Sequence, residues 1–176
     1  MKESIHPFDY AHQIAKGISR GVLLNTCADK FNSMVIGWGH LGVIWNLPTF
    51  VVYVRQSRFT KLQLDKSGEF TVSIPAGPDE CLSPEILRLF GRHSGREINK
   101  ADYVTLVDSE TIRTPAILEY PLTLECKVLY QQDQDLSFVP GEILQRFYCT
   151  GADEGDFHTA YIGQIVNSYI IRKELP

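Results

Sequence analysis

Alternation of apolar and polar residues along the chain predicts several β-strands. In residues 122–128 (Leu-Thr-Leu-Glu-Cys-Lys-Val) every second residue is apolar, as expected of a strand with one face toward a core. Residues 70–74 alternate in the same way until Pro75, which cannot continue a hydrogen-bonded strand. Continuous β-branched and aromatic runs, typical of strands buried on both faces, supply further candidates. Two such runs, residues 19–27 and 49–56, are predicted strands. Residues 143–150 and 160–171 complete the set of predicted strands, with a turn containing Gly151 and Gly155 between them.

Capping residues predict three short helices among these strands. The first covers residues 7–16 and is closed by Gly17, and the second covers residues 58–66, with Ser57 as N-cap and Gly68 at the end. The third starts at Pro84 with Ser83 as N-cap. Its apolar face consists of Ile86, Leu87, Leu89 and Phe90. Strands outnumber helices and do not alternate with them regularly, so a parallel βαβ sheet is disfavoured. The pattern favours a mainly β fold, an antiparallel barrel with a few short peripheral helices.

Composition narrows the class of protein. The chain has 176 residues, 44% hydrophobic and 22% charged, which suits a single domain over residues 1–176. A net charge of −4 without a basic stripe argues against nucleic-acid binding. No apolar stretch approaches the roughly 20 residues that cross a bilayer, and the N-terminus lacks a signal-peptide core, so no membrane association is expected. The cysteines form no C-x-x-C pair, which predicts reduced thiols in a cytoplasmic protein. The five histidines are scattered without metal-ligand spacing, so no metal site is predicted.

Residues 37–42 (Gly-Trp-Gly-His-Leu-Gly) match the dinucleotide-binding pattern G-x-G-x-x-G. That pattern is informative only when it follows a strand, opens a helix and precedes an acidic residue by about 20 positions. No helix is predicted after Gly42, and residues 57–62 contain no Asp or Glu. We therefore reject a Rossmann site and expect the glycines to permit a tight turn or a close backbone approach.

A stronger candidate site lies at residues 55–61 (Arg-Gln-Ser-Arg-Phe-Thr-Lys), where a predicted strand meets a predicted helix. Unpaired amides at a helix N-terminus favour an anion, and arginine binds phosphate oxygens in a forked geometry. The residues that could contribute are Arg55, Ser57, Arg58, Thr60 and Lys61. An ordinary N-cap with solvated basic residues explains the same segment equally well.

The order of several motifs resembles the flavin reductase-like, FMN-binding split-barrel family, which includes flavoredoxins. The resemblance runs from about Lys16 to Arg172. The matching segments are residues 25–38 (Asn-Thr-Cys-Ala-Asp-Lys-Phe-Asn-Ser-Met-Val-Ile-Gly-Trp), Pro48, residues 55–60, residues 67–70 (Ser-Gly-Glu-Phe), residues 94–100 (Ser-Gly-Arg-Glu-Ile-Asn-Lys) and residues 158–165. Glu97 and Asn99 depart from the family pattern, which has aspartates there, and this weakens any role for that loop.

The resemblance implies a six-stranded antiparallel split β-barrel that acts as a homodimer with FMN near the interface. It implies an isoalloxazine near Asn32, Ser33, Met34 and Trp38, a phosphate on Ser57, Arg58 and Thr60 with help from Arg55 or Lys61, and contributions from Ser94, Arg96 and Lys100. Simpler roles stay open for these residues: core packing for Met34 and Trp38, a turn for Asn32 and a solvated loop for residues 94–100. A structural role is the simpler reading of His158 as well.

The function expected from the resemblance is that of an NAD(P)H-dependent flavin oxidoreductase, in which hydride passes from NADH or NADPH to FMN. The flavin carries that chemistry, so no catalytic side chain is required. Two alternatives stay open. One is a flavoredoxin-type electron carrier without its own nicotinamide site, which would exchange electrons with a redox protein partner. The other is a small β-barrel that binds a different phosphorylated ligand.

Overall fold

The computed structural model describes residues 1–75, 77, 80–149 and 154–172, and ten strands and four α-helices lie in these ranges. The strands are β1 (Lys2–Ser4), β2 (Val22–Cys27), β3 (Phe31–Ile36), β4 (Gly39–Ile44), β5 (Leu47–Arg55), β6 (Glu69–Ile74), β7 (Leu106–Val107), β8 (Ala116–Ile117), β9 (Leu122–Asp133) and β10 (His158–Ile171). The helices are α1 (Ala11–Arg20), α2 (Phe59–Ser67), α3 (Pro84–Arg92) and α4 (Gly141–Phe147), with 3₁₀ turns at Pro7–Tyr10, Lys100–Tyr103 and Leu136–Phe138.

The strands form an eight-stranded antiparallel sheet in the order β3-β2-β6-β9-β10-β5-β4, with β1 also paired to β10. Strands β7 and β8 form a separate pair. The predicted class, a mainly β antiparallel barrel with short peripheral helices, is confirmed, although the main sheet has eight strands where six were expected. One unpredicted strand is β4, within the glycine-rich segment. It pairs with β5 through the two-residue turn Trp45–Asn46, whose φ angles of 53° and 60° resemble those of a type I′ hairpin turn.

The sheet surrounds an apolar core made by the inward-facing residues of its strands. Phe50, Val52 and Val54 of β5 alternate into this core, and α1 and α2 close it with Ile14 and Leu64. A second apolar cluster lies under α3 and includes Leu23 and Phe90. The predicted alternation in β9 is confirmed for the inward face, while Thr123 and Glu125 on the opposite face are also buried. Their burial follows because the segment around β7 and β8 covers that face; Glu125, for example, accepts hydrogen bonds from the Glu110 and Thr111 amides.

The first predicted helix has different bounds. Helix α1 runs past Gly17 and ends at Gly21, which has a φ of 99°, so the first two residues of the predicted strand 19–27 are helical. Gly17 is buried against β6, where an added Cβ would lie 3.0 Å from Ile74 Cγ2. Glycine at this position permits close helix–sheet packing and does not end the helix.

The prediction of a strand at residues 143–150 is wrong, because residues 141–147 form helix α4. Ile143, Leu144 and Phe147 are spaced i, i+1 and i+4, which fits a helix face as well as a short strand. Thr150 and Gly151 lie outside the described residues. Gly155, also placed in a turn by the sequence, lies in one with a φ of 69°.

The cap of the second predicted helix is also corrected. Arg58 occupies the N-cap position of α2, and no side chain caps it. The Ser57 hydroxyl is instead bonded to Asp156. At the other end, Gly68 takes the left-handed conformation expected of it. The predicted start of α3 is confirmed, since the Ile86 amide donates to Ser83 Oγ over 3.2 Å.

No helix among the described residues is long and apolar enough to cross a membrane. The four cysteines are unpaired thiols; Cys126 is buried, and Cys81 and Cys149 are exposed.

Candidate functional site

Two adjoining cavities share Met34, Val35 and Arg58 and together form one groove. The groove passes between the β3 strand, the N-terminal end of α2 and the loop that follows α3. One end is lined by Trp38, Tyr53 and His158 together with two arginines, and the other contains the basic side chains of Arg58, Arg96 and Lys100. Such a lining suits a ligand that carries both an aromatic ring and an anionic group.

The aromatic end is built by Trp38, Tyr53 and His158 beside Met34. Trp38 is 39% exposed, so part of its side chain remains accessible. It meets Phe147 edge-on at 5.3 Å between ring centroids and lies 4.8 Å from the His158 ring. The end of α4 therefore holds Trp38 in place at the mouth of the groove.

A hydrogen-bond chain fixes the orientation of His158. The Tyr148 hydroxyl donates to Gln134 Oε1 over 2.9 Å, and the His158 amide donates to the same oxygen. The Tyr148 oxygen lies 2.9 Å from His158 Nδ1 and is left to accept from that nitrogen. Burial raises the pKa of the Tyr148 hydroxyl above its ordinary value. The structure thus places His158 on the groove wall with a defined ring orientation.

Arg55 connects the groove to the segment that precedes β10. Its guanidinium donates to the carbonyl oxygens of Phe147 and Asp156 over 2.9 and 2.8 Å. The same group lies 5.3 Å from the centre of the Tyr148 ring. Arg55 lines the groove, and two of its donors are used to hold residues 147 and 156 against β5.

The basic end contains Arg58, Arg96 and Lys100. Lys100 is 2% exposed, and its ammonium donates to the carbonyl oxygens of Ser33 and Phe90 over 2.5 and 3.3 Å. In the described part of the chain this ammonium forms no ion pair with a carboxylate. Burial, and secondarily the charge of Arg58, lower the pKa of Lys100 to about 8, while Glu97 acts in the opposite direction. A buried cation without a carboxylate partner would be stabilised by a bound anion.

The floor of the basic end is a buried polar pair. Asn32 Nδ2 donates to Thr60 Oγ1 over 2.9 Å, and both side chains are at most 2% exposed. Since Thr60 Oγ1 accepts this bond, its own hydroxyl hydrogen is available to donate elsewhere. Gly95 lies directly on the amide: an added Cβ would meet Asn32 Oδ1 at 2.1 Å and Phe59 Cδ1 at 2.9 Å. Only glycine allows the loop after α3 to approach this closely.

That loop and the residue before α2 meet at the rim of the groove. Arg96 donates to the Ser57 carbonyl oxygen over 3.4 Å, and its guanidinium lies 5.2 Å from the Phe59 ring centre. The Arg96 amide donates to Ser94 Oγ over 3.2 Å. At Ser57 both the hydroxyl and the amide donate to the carboxylate of Asp156, over 2.6 and 3.1 Å.

The structure brings ten of the twelve predicted cofactor-binding residues to the groove. They are Asn32, Met34, Trp38, Arg55, Ser57, Arg58, Thr60, Ser94, Arg96 and Lys100. Ser33 and Lys61 do not line it. Ser33 contributes only its carbonyl, which holds Lys100, and Lys61 Nζ turns to Asp65 at 2.9 Å and to the Tyr161 hydroxyl at 3.3 Å.

Sequence reasoning did not assign several residues that line or adjoin the groove, among them Phe59, Gly95, Tyr53 and Asp156. Phe59 lies within the motif at residues 55–61 and Gly95 within the motif at residues 94–100, so membership of these motifs was the sequence signal that could have identified them. Tyr53 stands two residues before Arg55 on β5, and period-two alternation places both on one face. No local pattern signals Asp156, because its partner Ser57 is 99 residues away.

The fold and groove define a small antiparallel β-barrel protein with a half-aromatic, half-basic binding site. The chain belongs to the flavin reductase-like family: the family model described as Flavin reductase like domain matches residues 15–176.

Known structures share this fold. The flavoredoxin of Methanosarcina acetivorans matches with a TM-score of 0.65 at 22% identity, over 89% of this chain and 71% of that chain. An FMN-binding protein from Thermus thermophilus matches with a TM-score of 0.59 at 20% identity, over 83% and 67% of the two chains. The NADH:FAD oxidoreductase SgcE6 of Streptomyces globisporus C-1027 matches with a TM-score of 0.61 at 16% identity, over 89% and 86%.

Proposed function

We propose that this protein binds FMN in the groove and acts as an NAD(P)H-dependent flavin oxidoreductase. The observation that carries the proposal is the continuity of an aromatic end at Trp38 with a basic end at Lys100 in one groove. A flavin mononucleotide has the matching polarity, a flat aromatic ring at one end and a phosphate at the other. Membership of the flavin reductase-like family supports this choice of ligand.

The aromatic end suits the isoalloxazine ring. Met34 and Tyr53 offer apolar surface, and the partly exposed Trp38 offers an aromatic surface. Because Phe147 packs against Trp38 from the side, the indole is restrained before any ligand arrives. A restrained aromatic surface lowers the ordering cost of binding a flat ring.

The basic end suits the phosphate. Arg58 and Arg96 carry permanent charge at the rim, and Lys100 carries charge at the base. The Thr60 hydroxyl, set by Asn32, adds a neutral donor. Lys61 has no part in this arrangement, since its ammonium is bonded to Asp65 and Tyr161, which do not line the groove. The arrangement resembles other phosphate sites in combining forked arginines with a helix N-terminus.

Bound FMN would supply the redox chemistry of the protein by accepting a hydride from a nicotinamide. This chain's residues then have two tasks: to orient the ring and to leave one ring face open to the hydride donor. His158 is oriented by Tyr148 at the aromatic end, where it limits movement of Trp38. We also propose a homodimer, supported by the hairpin β4–β5, on which Val43 and Trp45 are 59% and 64% exposed.

A visible absorption spectrum of the purified protein, before and after FMN addition, tests flavin binding. Anaerobic addition of NADH and then NADPH tests the reaction, because hydride transfer bleaches the flavin. Bleaching by dithionite alone would support the electron-carrier alternative. A colourless protein that takes up no FMN would contradict the proposal, and mass spectrometry of any ligand released on denaturation would then identify another phosphorylated compound.

A further inference from the structure

We propose that Asp156 is a specificity-determining residue that competes with the flavin phosphate for Ser57 and so lowers the affinity of the groove for phosphorylated flavins. This inference rests on the proposed function, because it concerns the phosphate end of the FMN site. It concerns a residue that lies outside the set expected to bind the cofactor.

The contact geometry supports competition. Asp156 Oδ2 accepts from Ser57 Oγ at 2.6 Å, and Oδ1 accepts from the Ser57 amide at 3.1 Å. A hydroxyl and an amide aimed at two oxygens of one anion form the arrangement that a phosphate would use. Ser57 lines the basic end of the groove together with Arg58 and Thr60. The carboxylate therefore satisfies donors that a phosphate would otherwise receive.

Charge repulsion adds to this competition. Asp156 is half-buried at the rim, and a phosphate bound at Arg58 would lie near its carboxylate. Two anions in contact with the same donors repel each other by an amount that solvent screening reduces but does not cancel. The phosphate must displace the carboxylate from Ser57 or bind without Ser57, and either course weakens binding.

The attachment of Asp156 makes displacement of the side chain feasible. Arg55 holds this residue through its backbone carbonyl at 2.8 Å, not through its carboxylate. Because the two interactions use different groups, the carboxylate can rotate away while the backbone stays on Arg55. An uncharged ring system without a phosphate does not compete for Ser57, so Asp156 acts on FMN and leaves riboflavin unaffected.

The test compares dissociation constants of FMN and riboflavin for the wild type and Asp156→Asn, measured by quenching of flavin fluorescence. We expect the variant to bind FMN about tenfold more tightly, from loss of one screened repulsion, and riboflavin within about twofold of the wild type. Asp108→Asn is the matched control, since it removes one charge from an exposed residue outside the groove and should leave both constants unchanged.

A second arm separates competition from a merely structural role. Ser57→Ala should weaken FMN binding more in the Asp156→Asn background than in the wild type, because a neutral amide oxygen holds the Ser57 donors less strongly than a carboxylate does. FMN affinity that is unchanged or lower in Asp156→Asn would overturn the inference, as would an equal gain for riboflavin. If neither flavin binds either protein, flavin binding itself is refuted and the inference falls with it.

Discussion

Asn32 and Thr60 connect β3 to the first turn of α2 through a buried hydrogen bond of 2.9 Å between Asn32 Nδ2 and Thr60 Oγ1. A strand and a helix that contribute separately to the groove are thereby held at a set distance. The loop carrying Gly95 closes on this pair from the α3 side. The proposed binding of a flavin phosphate here would require three chain segments to keep their relative positions.

Replacement of Gly95 by alanine should weaken FMN binding by tenfold or more. The new Cβ would lie 2.1 Å from Asn32 Oδ1, so the loop with Ser94 and Arg96 must move away from the groove. Overpacking of this kind costs about 1–3 kcal/mol. FMN titration measures the loss. Gly141→Ala, where an added Cβ meets nothing within 4 Å, is the control and should bind as the wild type does. Equal affinities in the two variants would contradict the placement of the loop.

Lys100→Met should reduce FMN affinity and spare riboflavin affinity. A charge-assisted hydrogen bond contributes about 1.5–3 kcal/mol, which corresponds to roughly tenfold to a hundredfold in the dissociation constant. Methionine fills similar volume without charge, which limits the packing change at this buried position. Isothermal calorimetry with both flavins measures the difference. A parallel loss for FMN and riboflavin would mean that Lys100 supports the fold and not the phosphate.

Titration of Lys100 should make FMN binding and stability respond oppositely to alkaline pH. Its pKa in the folded protein is about 8, below the ordinary value of 10.5. Unfolded chains therefore bind more protons between these values, and the free energy of unfolding of the flavin-free protein should rise across that window. FMN affinity should fall as pH rises through 8, because the neutral amine no longer attracts phosphate. Chemical denaturation and FMN titration at pH 7 to 10 measure both trends, and Lys100→Met should abolish both.

Substitution of Arg55 by lysine should loosen the segment at Phe147 without unfolding the barrel. A lysine cannot reach both carbonyl oxygens in the forked geometry of arginine. Loss of the two bonds should increase amide hydrogen exchange over residues 141–149 at least several-fold, while β5 and β10 stay protected. Hydrogen-exchange mass spectrometry resolves these segments. Arg88→Lys, at an exposed site on α3, should leave the exchange of all of them unchanged.

Trp45→Asn tests the proposed homodimer. Asparagine accepts the positive φ of this turn better than tryptophan does, so the hairpin itself should be retained or stabilised. Removal of a side chain that is 64% exposed should then shift the protein toward the monomer if the hairpin forms the interface. Light scattering coupled to size-exclusion chromatography measures the molar mass of the protein in solution. Phe138→Ser, at an 86% exposed side chain in the 3₁₀ turn Leu136–Phe138, should leave the mass unchanged.

Local patterns predicted much of the fold. Period-two alternation located β6 and β9, because a strand exposes its two faces to different surroundings wherever it lies. Capping at Ser83 and Pro84 located the start of α3, because a helix cap acts within a single turn and so depends on local sequence. The pattern was ambiguous at residues 143–147, where the apolar spacing fits a helix and a strand alike.

For the candidate site, too, local spacing in the sequence indicated some features and tertiary contacts decided others. The sequence alone determined that basic and hydroxyl residues gather at 55–61 and that Asn32, Met34 and Trp38 follow one another in chain order. Lys61 and Asp65 form an i,i+4 pair on α2, a spacing that the sequence itself shows. Only the tertiary structure decided that Lys100 is buried on the Ser33 carbonyl and that the Asp156 carboxylate accepts from Ser57. These contacts join residues up to 99 positions apart. Their partners are set by how the loops and turns between distant elements meet in the fold, which no local spacing specifies.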